Sequence, residues 1–131
     1  MNLPIIIGIS PNLHIRAVIA SENIKMNKVS ERCPALIYSI SERQYISKTV
    51  FDNYYFEWSE KEDAIALGYG SLVNHSYNPN AYVDFDYENK EIIFIAKRDI
   101  EKDEEIMINY NDDSAEPIEE SYLTFDKRLN G

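Results

Sequence analysis

The chain has 131 residues, of which 44% are apolar, enough for one compact domain with its own core. Its 13 basic residues against 23 acidic ones leave a formal charge of −10, which argues against general nucleic-acid binding, since that needs a basic face. A single cysteine, Cys33, excludes an internal disulfide and a thiolate metal cluster.

The opening run Met1-Asn2-Leu3-Pro4-Ile5-Ile6-Ile7 lacks a basic flank and is too short for a secretory signal. No apolar run approaches membrane-spanning length. The expected setting is therefore soluble and cytoplasmic, or nuclear in a eukaryotic or viral host, with no membrane partner.

Read in order, the chain gives mostly short strands. Ile5–Ile9 and Arg16–Ala20 are apolar runs flanking the turn-forming Ser10-Pro11-Asn12. A third run covers residues 34–40, after a polar stretch. Residues 45–53 are the expected helical piece. Residues 54–58, Tyr-Tyr-Phe-Glu-Trp, form an aromatic strand, and 64–67 another short run. The clearest element is a hairpin. Tyr82, Asp84 and Asp86 alternate with Val83, Phe85 and Tyr87, Glu88-Asn89-Lys90 turns the chain, and Glu91–Ala96 returns. Residues 106–109 make a last strand, and the tail 114–131 is acidic, then mixed. One domain over 1–131, with its core at about 11–113, is the expected organisation.

An internal echo links two segments. Residues 20–29, with Ala20, Asn23, Ile24 and Asn27, resemble residues 96–106, with Ala96, Asp99, Ile100 and Asp103. Each leaves a strand, turns with one buried isoleucine and re-enters a strand. Asn27 and Asp103 stand where a left-handed backbone is expected, which Asn and Asp tolerate best after Gly.

The chemistry concentrates in Asn74-His75-Ser76-Tyr77-Asn78-Pro79-Asn80, shortly after Gly68-Tyr69-Gly70, and in Glu104-Glu105-Ile106-Met107-Ile108-Asn109-Tyr110 some thirty residues on. Together these strings resemble the SET-domain family of protein-lysine methyltransferases. The resemblance runs from about Pro11 to Asp113. It implies a mostly β, β-clip type of fold of short curved sheets with a threaded, knot-like C-terminal segment. It also implies S-adenosyl-L-methionine as methyl donor and a lysine side chain of a protein or peptide as acceptor. By the same resemblance Tyr110 is the catalytic tyrosine, while Asn74 and His75 contact the adenosine part of the cofactor, largely through backbone groups. Arg16 is a further candidate, for the methionine carboxylate, beside Ala17. Tyr54 is the candidate wall of the lysine channel. Val83 stands where many members carry an aromatic residue that limits how many methyl groups are added, so the product state stays open. Small members can be homodimers, which exposed strand edges permit.

A tyrosine suits the chemistry. Methyl transfer from sulfonium to amine is an in-line displacement, needing a neutral, aligned amine and no intervening water. Free lysine arrives charged, with a pKa of about 10.4. An aromatic channel beside a sulfonium disfavours the ammonium by desolvation and by like charge. Phe56 and Trp58 read as core, and Glu101 to Glu105 as a solvated turn.

The segment Ser10-Pro11-Asn12-Leu13-His14-Ile15-Arg16-Ala17 aligns with the family's glycine-rich cofactor loop, but Ile15 and Ala17 occupy the glycine positions. A β-branched residue does not easily take positive φ, so either the loop is reshaped or cofactor affinity is reduced. A catalytically weak or inactive module that binds a basic peptide stays open on this ground, as does a purely structural acidic β domain. His14 and His75 lack neighbours at metal-ligand spacing, so no zinc site is expected. Tyr122 and Phe125 of the tail are candidates to fold over the cofactor.

Overall fold

The computed structural model describes residues 2–111. The calls on the tail, including Tyr122 and Phe125, and on the threaded passage beyond Asn111 lie outside the described residues.

Strands β1 (Ile5–Ile9) and β2 (Arg16–Ala20) pair as an antiparallel hairpin with Ile5 opposite Ala20. Its loop closes through Ser10 N–H to the Ile15 carbonyl (2.7 Å) and His14 N–H to the Ser10 carbonyl (3.0 Å). The left-handed residue here is His14 (φ 57°), and Ile15 keeps a negative φ. The β-branched side chain is thus not forced into the left-handed region.

A five-stranded antiparallel sheet follows in the order β4-β5-β3-β8-β7: β3 is Val29–Ser39, β4 Tyr55–Glu57, β5 Glu62–Ala66, β7 Ala81–Asp86 and β8 Glu91–Ala96. β3 starts five residues earlier than its apolar run, because Ser30 and Cys33 are buried while Arg32 faces outward. It changes partner at Pro34, pairing with β8 up to Pro34 and with β5 from Ala35 onward. A proline has no N–H for a ladder, and a strand that switches neighbours offers it a place without that loss. Phe56 of β4 and Trp58 just after it pack against Phe85 of β7, with ring centroids 6.4 and 5.1 Å apart.

The helical piece is shorter than expected. α1 spans Arg43–Ile46 only, and a separate 3-10 turn occupies Val50–Asn53. Thr49 is extended, and its hydroxyl accepts from Phe51 N–H (3.2 Å), so it caps a new turn instead of continuing the old one. Arg43 grips the fully buried Asp63 with two bonds of 2.7 and 2.6 Å.

The internal echo is a pseudo-symmetric clasp. Ile24 and Ile100 exchange backbone bonds of 2.8 and 2.7 Å and are both buried. Asn27 (φ 71°) donates to the Ala96 carbonyl, and Asp103 (φ 76°) to the Ala20 carbonyl. Met26 N–H bonds to the Asp99 carboxylate as Lys102 N–H bonds to the Asn23 amide oxygen. The clasp delivers residues 104–106 alongside β2, through Ala20 N–H to Glu104 and Ile106 N–H to Val18, each 2.8 Å. Two short strands, β6 (Asn74–His75) and β9 (Met107–Ile108), then pair in parallel.

Candidate functional site

The segment Asn74 to Asn80 is stitched to residues 105–110 along its length. Ser76 N–H bonds to the Ile108 carbonyl (2.9 Å). The Asn80 side chain closes the far end, donating to the Glu105 carbonyl (2.8 Å) and accepting from Met107 N–H (2.9 Å). Backbone groups in so short a parallel pair have few ladder partners, and Asn80 supplies the missing donor and acceptor.

Tyr110 is held by the same segment. Its N–H donates to Nδ1 of His75 (2.9 Å), and its hydroxyl donates to the Val73 carbonyl (2.5 Å). The two rings lie 5.0 Å apart, and Tyr77 packs edge-on to His75 at 4.3 Å. A ring nitrogen that accepts carries no proton, so His75 sits here as a neutral ring with its hydrogen on Nε2. Tyr110, His75 and Asn74 are all buried.

Two glycines just before the segment are steric requirements. Gly68 has φ 107°, and a Cβ there would stand 2.5 Å from Oε2 of Glu31. A Cβ on Gly70 would overlap the Phe94 ring and approach Cys33 Sγ to 2.7 Å.

Arg16 and Tyr54, proposed from opposite halves of the motif argument, line one cavity of about 250 Å³ together with Val50, Phe51, Ile65, Ser71 and Leu72. Leu72 precedes Val73, whose carbonyl holds the Tyr110 hydroxyl, so the cavity wall continues directly into the tyrosine's support. Ala17 is fully buried in β2 opposite Gly8 and is not among the residues lining this cavity. Val83 is not among them either. It pairs with Phe94 in the sheet and packs on the hydrophobic core that includes Tyr110.

The expectation of a solvated turn through Glu105 is corrected. Glu101 and Asp103 are exposed, but Glu105 is only 5% exposed. Its carboxylate accepts from the Ser10 hydroxyl (2.5 Å) and from Asn74 Nδ2 (2.8 Å). Asn74 Nδ2 also donates to the Arg16 carbonyl (3.0 Å). Ser10, Asn80 and Glu105 are thus site-building residues that the sequence argument missed. Glu105 stands in the motif string, but its role was not readable there, because its partners come from 31 and 95 residues away.

These features define a class: a β-clip domain whose histidine-bearing segment is laced to a short strand, Met107–Ile108, with the tyrosine two residues beyond it. The SET domain profile matches residues 16–111, and the chain belongs to that family. A Schizosaccharomyces pombe relative, a histone-lysine N-methyltransferase specific for H3 lysine-37, is 38% identical over 98 residues, covering 74% of this chain and 67% of that protein. An Aspergillus oryzae relative, specific for H3 lysine-4, is 31% identical over 109 residues. That match covers 75% of this chain but only 9% of the longer protein. A Plasmodium falciparum crystal structure assigned as a histone methyltransferase superposes with a TM-score of 0.68 at 34% identity, covering 84% of this chain and 95% of that one. The expected mostly β SET fold is borne out.

Proposed function

We propose that this chain transfers a methyl group from S-adenosyl-L-methionine to the side-chain amine of a lysine in a protein. The observation that carries the reading is the double hold on Tyr110, by His75 Nδ1 at its N–H and by the Val73 carbonyl at its hydroxyl. With its proton committed to Val73, the phenol oxygen is left as an acceptor. It can align an incoming amine through an N–H bond and meet a polarised methyl through a weak CH···O contact.

The residues present fit the cofactor by their chemistry. Arg16 on the cavity rim suits a carboxylate. Asn74, with its NH₂ bonded to Glu105 and Arg16, offers an amide oxygen to a protonated amine. Backbone groups of Asn74 and His75 would border the adenosine part. When bound, the cofactor supplies an electrophilic methyl on a sulfonium. Phe51, Tyr54, Ile65 and Leu72 line the cavity with apolar surface that would disfavour the ammonium form of an incoming lysine. With the cofactor in place, the neutral amine nitrogen would bond to the methyl carbon as the sulfonium released it, and its surplus proton would leave to water.

The substrate class that fits is a lysine-bearing basic segment, attracted by the net charge of −10. The relatives' specificity for histone H3 lysines makes a histone tail the first to try. An intracellular setting, and a homodimer, belong to the same reading.

The test is labelled-methyl transfer to histone H3 and to cell extract, with mass spectrometry counting the methyl groups. Wild type is expected to label lysine. Tyr110→Phe is expected to lower the rate about a hundredfold, since misplacing reactants by about 1 Å has that cost. An unchanged rate removes Tyr110 from the mechanism. No binding of millimolar cofactor by the wild type in calorimetry leaves the peptide-binding module instead.

A further inference from the structure

We propose that Glu105 is a positioning residue for the cofactor, fixing which way round the Asn74 amide sits and tying it to both ends of the loop between β1 and β2. The inference rests on the methyltransferase reading above and goes beyond it to a residue no motif assigned.

Ser10 and Arg16 bracket that loop; Ser10 bonds to this carboxylate directly, and Arg16 is joined to it only through Asn74. Oε1 accepts from Ser10 Oγ (2.5 Å), which itself accepts from Leu13 N–H (3.1 Å) inside the loop. Oε2 accepts from Asn74 Nδ2 (2.8 Å), and the same nitrogen donates to the Arg16 carbonyl (3.0 Å). Ser10, Asn74 and Glu105 are all at most 5% exposed.

A carboxylate can only accept, so the nitrogen of Asn74 must face it. Both Nδ2 hydrogens are then used, and Oδ1 remains as an acceptor to which no described residue donates. The amino-acid end of S-adenosylmethionine carries an ammonium, which is a donor. With the amide reversed, NH₂ would meet ammonium, donor against donor. Among the described residues no basic side chain bonds to Glu105, and burying a carboxylate without a cation costs stability. Packing alone would be served better by an apolar side chain. A carboxylate accepts on both oxygens, so it keeps the Asn74 nitrogen turned toward it whichever way the Ser10 hydroxyl points.

Glu105→Gln is the test, since it keeps shape and replaces one acceptor by a donor. The readouts are the Asn74 side-chain amide signal in cofactor-free protein, the calorimetric Kd for S-adenosylmethionine, and kinetics at saturating lysine peptide. The wild type is expected to show a slowly exchanging Asn74 amide pair. In Glu105→Gln that protection is lost, and Kd and KM for the cofactor rise about tenfold or more, the scale of one charge-assisted bond. Turnover at saturating cofactor changes far less. On an Asn74→Ala background Glu105→Gln is expected to add little, because the two act through one contact. Should Glu105→Gln melt, Ser10→Ala loosens the same carboxylate and is expected to raise Kd severalfold.

Wild-type affinity in a folded Glu105→Gln or Ser10→Ala overturns the proposal. So does an equal loss on the Asn74→Ala background, which would mark Glu105 as a general support. Failure of the wild type itself to bind overturns the methyltransferase reading, and this inference with it.

Discussion

Two single residues decide whether the site segment can lie where it does. Gly70 runs against Phe94 and Cys33, which are 1% and 0% exposed, so neither can move aside for a methyl group. Gly70→Ala is expected to cost about 2–3 kcal/mol in urea unfolding, in the range of core overpacking. Asn80 is the other. Its amide bonds to backbone groups of both Glu105 and Met107, and removing it strands a buried donor and acceptor. Asn80→Ala should destabilise by about 2–4 kcal/mol. Asn80→Asp, which cannot donate to the Glu105 carbonyl, should lose nearly as much. A loss below about 0.5 kcal/mol for Asn80→Ala would show that residues 74–80 and 105–108 hold together without this stitch. The motif string contained Asn80 but gave it no role, because the groups it serves lie 25 and 27 residues away on another segment.

Among elements, β1 differs from the other sheet edges. β4 is three residues long and ends in Glu57, and β7 carries Asp84 and Asp86, the short or charged edges that discourage strand addition. β1 is four isoleucines and a glycine, and residues 2–15 contain no Asp, Glu, Lys or Arg. The bonds Ser21 N–H to Pro4 and Ser10 N–H to Ile15 fix the ladder's parity, so Pro4, Ile6 and Gly8 face β2. Ile5, Ile7 and Ile9 therefore turn their backbone groups to an edge that no described residue pairs with. In a chain of charge −10, two copies repel least along this uncharged strand. The homodimer included in the functional reading is expected there, with Ile7 opposite its own copy. Light scattering should show a dimer at high concentration that Ile7→Lys converts to monomer without loss of fold. A dimer surviving Ile7→Lys places the contact elsewhere. The alternating hairpin and the β1–β2 pair were legible from period-two patterning and turn residues. The full length of β3 was not, since its first half is polar in sequence and buried only because β8 covers it.

For the molecule as a whole, charge and burial set the response to pH. Burial pushes the Cys33 thiol well above its ordinary value, helped by the neighbouring Glu31 charge. Burial likewise raises the phenols of Tyr38 and Tyr55, with the Asp63 charge adding to both. Each group keeps its proton in the fold at a pH where the unfolded chain has lost it. The folded state then holds more protons, so stability is full below about pH 8.5, the ordinary thiol value, and falls as pH rises through the ordinary phenol range near about 10. Urea midpoints at pH 7, 9 and 10.5 should decrease in that order, and Cys33→Ala should flatten the first part of the fall. A midpoint that holds or rises with pH would contradict the buried, protonated state of these groups. Strand periodicity was enough for a small β domain, and the two motif strings for its family, because those signals are local. The roles of Glu105, Ser10 and Asn80, the shift of the left-handed residue to His14 and the meeting of Arg16 with Tyr54 were decided by tertiary structure. Each depends on segments tens of residues apart being brought within hydrogen-bond or contact range, and no single stretch of sequence records that distance.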